Sequence, residues 1–203
     1  MEREKIAQAM PSIRLSFEAL KQALHEGGPA AGARFLCGEC VTWGDELRAI
    51  HAGCDRAGLE SRDPLTRFFV TRYRGVEKAP TLTGLGAAEL FLLAFGAFTY
   101  LDALMDETSI GEHAGTDACG RWQVGRVVAG DYDASVITVE KGPVGWMFDL
   151  MPIYRAKAQA LDDFIASTYG GDFDAFLWRY VADHDLMFDM ERAFRPWSNQ
   201  GGI

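Results

Sequence analysis

Apolar residues recur at helical spacing through the first half of the chain and at strand spacing only after residue 120. Ile13, Phe17, Leu20 and Leu24 stand at i, i+4, i+7 and i+11, one stripe along one helix face. Pro11 suits the first turn of that helix, and "HEGGPAAG" ends it. A second stripe, Trp43, Leu47, Ile50 and Cys54, repeats the period. Asp63-Pro64 reads as a cap followed by a first helical position, with "LTRFFVTRY" carrying the helix to Gly75. "VEKAPTLTGLG" reads as loop or edge strand. From Ala87 to Met105 the chain is almost wholly apolar and helical, with room for a break at Gly96.

After Glu107 the texture changes. "TSIGEHAGTDACG" reads as a loop, and "RWQVGRVV", "ASVITVE" and "VGWMF" as three short strands separated by "AGDYD" and "KGP" turns. The β-branched run Val136-Ile137-Thr138-Val139 favours strand over helix. "AKAQALDDFIASTY" returns to helix and stops at Gly170-Gly171. Asp172 then caps a last helix with Phe173, Phe176, Leu177, Tyr180 and Val181 inward. The tail "RPWSNQGGI" is irregular. The expectation is an α+β fold: a helical N-terminal half, a small antiparallel sheet of three or more strands, and C-terminal helices. It is read as one domain over 1–203, divided into a helical extension at 1–60, a core at 61–168, and a C-terminal helix and tail at 169–203.

The charge sharpens this picture. The net charge of −9 is confined to the second half, where residues 102–203 hold eight Lys/Arg against 17 Asp/Glu. Such a half repels phosphate backbones, so no nucleic-acid partner is expected. It suits a cationic protein partner, while the bland reading is solubility. The apolar run Leu90–Leu101 has 12 uncharged residues, short of the ~20 a spanning helix needs. With the charged, polar start "MEREKIAQAM", this predicts a soluble, cytoplasmic chain with no membrane partner.

No constellation declares a reaction. Cys37-x-x-Cys40 with His51-x-x-Cys54 has zinc-ligand types. On one continuous helix the two pairs would stand ~21 Å apart, and "GARFLCGEC" reads as a helix face with Phe35, Leu36 and Cys40 inward. Core cysteines are the simpler reading, and no metal or cofactor is expected. Cys119, with Asp117 and His113 close by in sequence, or His184 with nearby acids, is the conceivable reactive group of a small hydrolase or transferase, although the sequence shows no positioned base for Cys119. "DYDASVITVE" lacks the central glycine and oxygen ligands of a calcium loop, and Asp131 and Asp133 are natural turn residues. P-loop, dinucleotide and nucleophile-elbow motifs are missing from the sequence.

Three segments in order resemble pieces of the SUKH superfamily, the SMI1/KNR4-like proteins: "DPLTRFFVTRYRG", "TGLGAAELF", and "GRWQVGRVVAGDYDASVITVEKGPVGWMFD" with "ALDDFIAST". The likeness covers roughly residues 60–168. The stretch Leu90–Met105 departs from it in being longer and more helical, and the first 60 residues have no counterpart. The resemblance implies a non-enzymatic immunity protein that binds and neutralises a cognate bacterial toxin delivered by another cell. Its acidic half would then meet a basic cleft, with Asp131, Tyr132, Asp133, Glu140, Trp146 and Asp149 as the expected contacts. Trp122 and Trp197 are further candidate anchors, each aromatic having a place in the core as its simpler reading.

Overall fold

The computed structural model describes residues 2–76, 82, 84–97 and 101–197. Among these the fold is α+β, with nine helices and one four-stranded antiparallel sheet in the order β1-β2-β3-β4. Most of the segment expected as loop or edge strand over 76–86 lies outside the described residues. So do Phe98, Thr99 and Tyr100 of the apolar run and the tail beyond Trp197. The chain forms two compact units: residues 1–44 with 85–154, and residues 45–84 with 155–203.

The first unit is a sheet with helices on it. Helix α1 spans Glu2–Gly32, with a kink where Gly28 leaves helical geometry at φ 61°. Ile13, Phe17, Leu20 and Leu24 of the expected stripe are all buried. The helix begins earlier than Pro11 implied; the proline sits exposed in its interior, and Ser12 Oγ donates to the Ala9 carbonyl at 2.8 Å. Beyond a short 3-10 turn at Ala33–Phe35, Leu36 is extended and bridges to Phe148. The segment "GARFLCGEC" is therefore not the helix face expected, although Phe35, Leu36, Cys37 and Cys40 are buried. Helix α2, Glu39–Gly53, crosses from the first unit into the second.

Where α2 passes α5 (Ala87–Phe95), a Cβ at Gly44 would come 1.9 Å from the Ala87 carbonyl oxygen, so only glycine allows that approach. Trp43 packs on Phe91 and Tyr154, with ring centroids 5.8 and 4.5 Å apart. Helix α6 covers Leu101–Asp106.

The strands are β1 Thr108–Thr116, β2 Trp122–Val128, β3 Asp131–Gly142 and β4 Gly145–Asp149. Strand β1 occupies the stretch expected to be loop. It pairs with β2 through two register shifts, and Arg14 of α1 donates to the Ile110 and Gly111 carbonyls at 3.2 and 3.1 Å. Val124, Ile137, Val139 and Phe148 are buried on the face toward α1, where Phe17 meets Phe148 edge-on at 5.2 Å.

The second unit is helical. It holds the end of α2, α3 (Arg56–Glu60), α4 (Pro64–Gly75), most of α7 (Met151–Tyr169), α8 (Phe173–Asp183) and α9 (Met190–Ala193). Asp63 accepts from Thr66 N at 2.9 Å, and Asp172 from Asp174 N and Ala175 N at 2.9 and 3.0 Å. Both expected caps are thus in place. Phe68 of α4 packs on Phe176 and Tyr180 of α8. Arg74 is fully buried and donates to the Ile50 and His51 carbonyls at the end of α2, at 2.7–3.0 Å. The negative end of that helix dipole faces its charge.

Candidate functional site

The β2–β3 hairpin is tighter than expected. Its turn is Ala129-Gly130, both with positive φ (49° and 94°), the pattern of a two-residue type I′ turn. Asp131, Tyr132 and Asp133 accordingly lie in β3, opposite Val128, Val127 and Arg126, rather than in the turn itself. Gly125 pairs with Val136 but Arg126 with Asp133, so Ala134 and Ser135 form a bulge. Asp133 Oδ1 fills that bulge by accepting from Ser135 N at 2.8 Å and from the Ser135 hydroxyl.

Three features make this tip a built surface. Tyr132 is 71% exposed, yet its ring is held: a Cβ at Gly111 would meet its Cε1 at 2.9 Å, and one at Gly125 at 3.8 Å. The ring lies over two neighbouring strands where side chains are missing, which orders a large aromatic without burying it. Arg126 is buried beneath the tip, and its Nη1 stands 3.6 Å from Asp133 Oδ1. Hydrogen bonds from Ser135, and then the Arg126 charge, hold the Asp133 carboxyl below the ordinary carboxylate range against its partial burial. It is ionised through the neutral range. Finally, Ala129 N donates to the Glu107 carbonyl at 2.8 Å, bringing the exposed Glu107 beside the tip. Neither Glu107 nor Arg126 was expected at this site; only the unforeseen pairing of β1 brings Glu107 here.

The other expected contacts go elsewhere. Glu140 is half-buried and beside Cys37, whose thiol is pushed up by burial first and by Glu140 next. Trp146 is buried, its indole donating to Ser12 Oγ at 2.9 Å. Asp149 is only 4% exposed. Its carboxylate accepts from Glu39 N at 2.9 Å, Cys40 N at 3.3 Å and Met151 N at 3.2 Å. It thereby caps the starts of α2 and α7 together. Placing Asp149 on an outward acidic face is corrected: unpaired N–H groups at two helix starts draw it inside. Trp122 is half-buried against Trp146, and Trp197 is partly exposed over the His51 ring at 5.3 Å.

Cys40, His51 and His184 are buried or held by structural contacts. Burial raises the Cys40 thiol to about 12, far from a reactive thiolate. His51 is buried, and burial followed by the Arg74 charge lowers its pKa to about 4. His184 caps α8, with Nδ1 2.9 Å from the Tyr180 carbonyl and its ring stacked on Tyr180. Cys119 is exposed in a turn formed by Asp117 and Arg121. Among the described residues no group of three or more His, Cys, Asp or Glu is placed to hold a metal ion, and no helix is long and apolar enough to cross a membrane.

Comparison with protein-family models, curated proteins and solved structures finds no match.

Proposed function

We propose that the protein is an acidic binding module that neutralises a cognate protein toxin by covering a basic cleft with its β2–β3 hairpin tip. The observation that carries this reading is Tyr132, exposed but held over Gly111 and Gly125 on one face of the hairpin tip, with the exposed carboxylates of its chain neighbours Asp131 and Asp133 on the other face. A fixed, exposed aromatic suits an interface anchor, and the carboxylates give the same tip its negative charge. The charge has a second use, since 17 acidic residues against eight basic in the second half accelerate encounter with a cation. The resemblance of residues 60–168 to the SUKH superfamily supplies the toxin as the kind of partner.

The test is capture of partners from the native host by the tagged protein, repeated with Asp131→Asn and Tyr132→Ala. A basic protein should be retained at low salt, released as salt rises, and lost with either hairpin variant. It should be kept by Asp162→Asn, an exposed position of the second unit. Co-expression should relieve that protein's toxicity. Retention by both hairpin variants, or a partner that harms no cell, refutes the proposal.

A further inference from the structure

On the α1 side of the sheet lies an open groove of about 470 Å³, within the size range of small-molecule sites. One wall is aromatic. Trp122 of β2 and Trp146 of β4 stack with centroids 5.4 Å apart and planes 26° apart. Both rings are fixed before any ligand arrives. The Trp146 indole N–H donates to Ser12 Oγ at 2.9 Å, and its backbone N–H to Ser16 Oγ at 3.2 Å. Trp122 is braced edge-on by His113 at 5.7 Å. The facing wall is α1, where Ala9 contributes only a methyl group and leaves the space open.

The charge of the groove is opposite to that of the chain. Lys5 and Lys141, both exposed, line it, and among the described residues no carboxylate does. Lys141 Nζ stands 5.6 Å from the Trp146 ring centroid, held near the wall by a cation–π contact. Its neighbour Glu140 points to the other face of the strand, as alternation requires. With screening over about 8 Å at physiological salt, these two lining ammonium groups set the local charge that a ligand in the groove meets.

We propose that this groove binds a small planar aromatic anion. The ring lies against the indole wall at Trp122, and the charge sits between Lys5 and Lys141. Stacking on a pre-fixed aromatic and an ion pair on flexible cations are complementary contributions, and the rigid wall limits the ordering cost of binding. A nucleobase with its phosphate and an aryl carboxylate share this chemistry. The site is separate from the hairpin tip and does not rest on the toxin-binding reading.

The test is NMR titration of the ¹⁵N-labelled protein, following the five tryptophan indole N–H signals. The probes are adenosine monophosphate and indole-3-acetate, with inorganic phosphate and adenosine as half-ligands. Saturable shifts of the Trp122 and Trp146 signals are expected with at least one of the first two, and neither half-ligand should match it. Response to the nucleotide alone, or to the aryl carboxylate alone, identifies the source of the anion. Lys141→Gln should weaken binding roughly two- to fivefold. Ala9→Leu, a change that suits a helix, should abolish it by filling the space while leaving the spectrum folded. The inference is overturned if neither probe shifts these signals at several millimolar. It is equally overturned if phosphate or adenosine alone binds as well, or if Ala9→Leu binds unchanged.

Discussion

Replacing Asp149 by alanine removes the acceptor shared by Glu39 N, Cys40 N and Met151 N. A hydrogen bond to a charged group contributes about 1.5–3 kcal/mol, and a buried donor left alone costs about 1–3 kcal/mol. Two of the three contacts, at 3.2 and 3.3 Å, are long, so they belong at the low end. The expected loss is about 3–5 kcal/mol, a large share of the roughly 5–15 kcal/mol that stabilises a domain. Asp149→Asn keeps the shape and one acceptor but turns an amide donor toward backbone donors, so it should lose about 2–3 kcal/mol. Urea unfolding followed by both circular dichroism and tryptophan fluorescence measures this. The folded fraction of either variant should still bind whatever the hairpin binds, because the Asp149 side chain is inside. A loss below about 1 kcal/mol for Asp149→Ala would refute the double-cap account.

The buried His51 sets a pH dependence. Its pKa is about 4 in the fold against 6.5 unfolded, so below pH 6.5 the unfolded chain takes up a proton the native state refuses. Stability is full above pH 6.5 and should fall by up to about 3 kcal/mol as pH drops to 4, a slope that His51→Phe should flatten. Gly44→Ala should destabilise by about 3 kcal/mol or prevent folding, since the new methyl meets the Ala87 carbonyl; thermal melting reads it. Ala129→Gly should stabilise by about 0.5–1 kcal/mol, seen as a higher urea midpoint, by relieving a left-handed alanine at φ 49°. Tyr132→Ala should leave the urea midpoint close to wild type, in contrast to Asp149→Ala, because its ring is largely exposed.

The helices were legible because their signals are local. The Ile13–Leu24 stripe and the Asp63 and Asp172 caps depend on spacings of four residues or fewer, and each is found as read. Strand β1 was not legible: "TSIGEHAGT" carries two glycines and one strong apolar residue, Ile110, and its strand character comes from pairing with β2. The site divides the same way. Asp131, Tyr132 and Asp133 share the hairpin tip because they are adjacent in the chain. Asp149 was misplaced because its main contacts, Glu39 and Cys40, lie 109–110 residues away, and no pattern along the chain reports that. A carboxylate drawn inside by helix starts looks in sequence like one left in water.

The second unit is assembled from residues 45–84 and 155–203, with the whole sheet encoded between them. On a ribosome adding roughly 5–20 residues per second, several seconds pass between completion of the first piece and arrival of the second. Throughout that interval Phe68 waits without Phe176 and Tyr180, and Arg67 without Asp174. The nascent chain thus carries the uncovered apolar face of an amphipathic helix through the middle of its own synthesis. The rate at which codons 85–154 are read sets how long that helix is open to chaperones, proteases and other nascent chains.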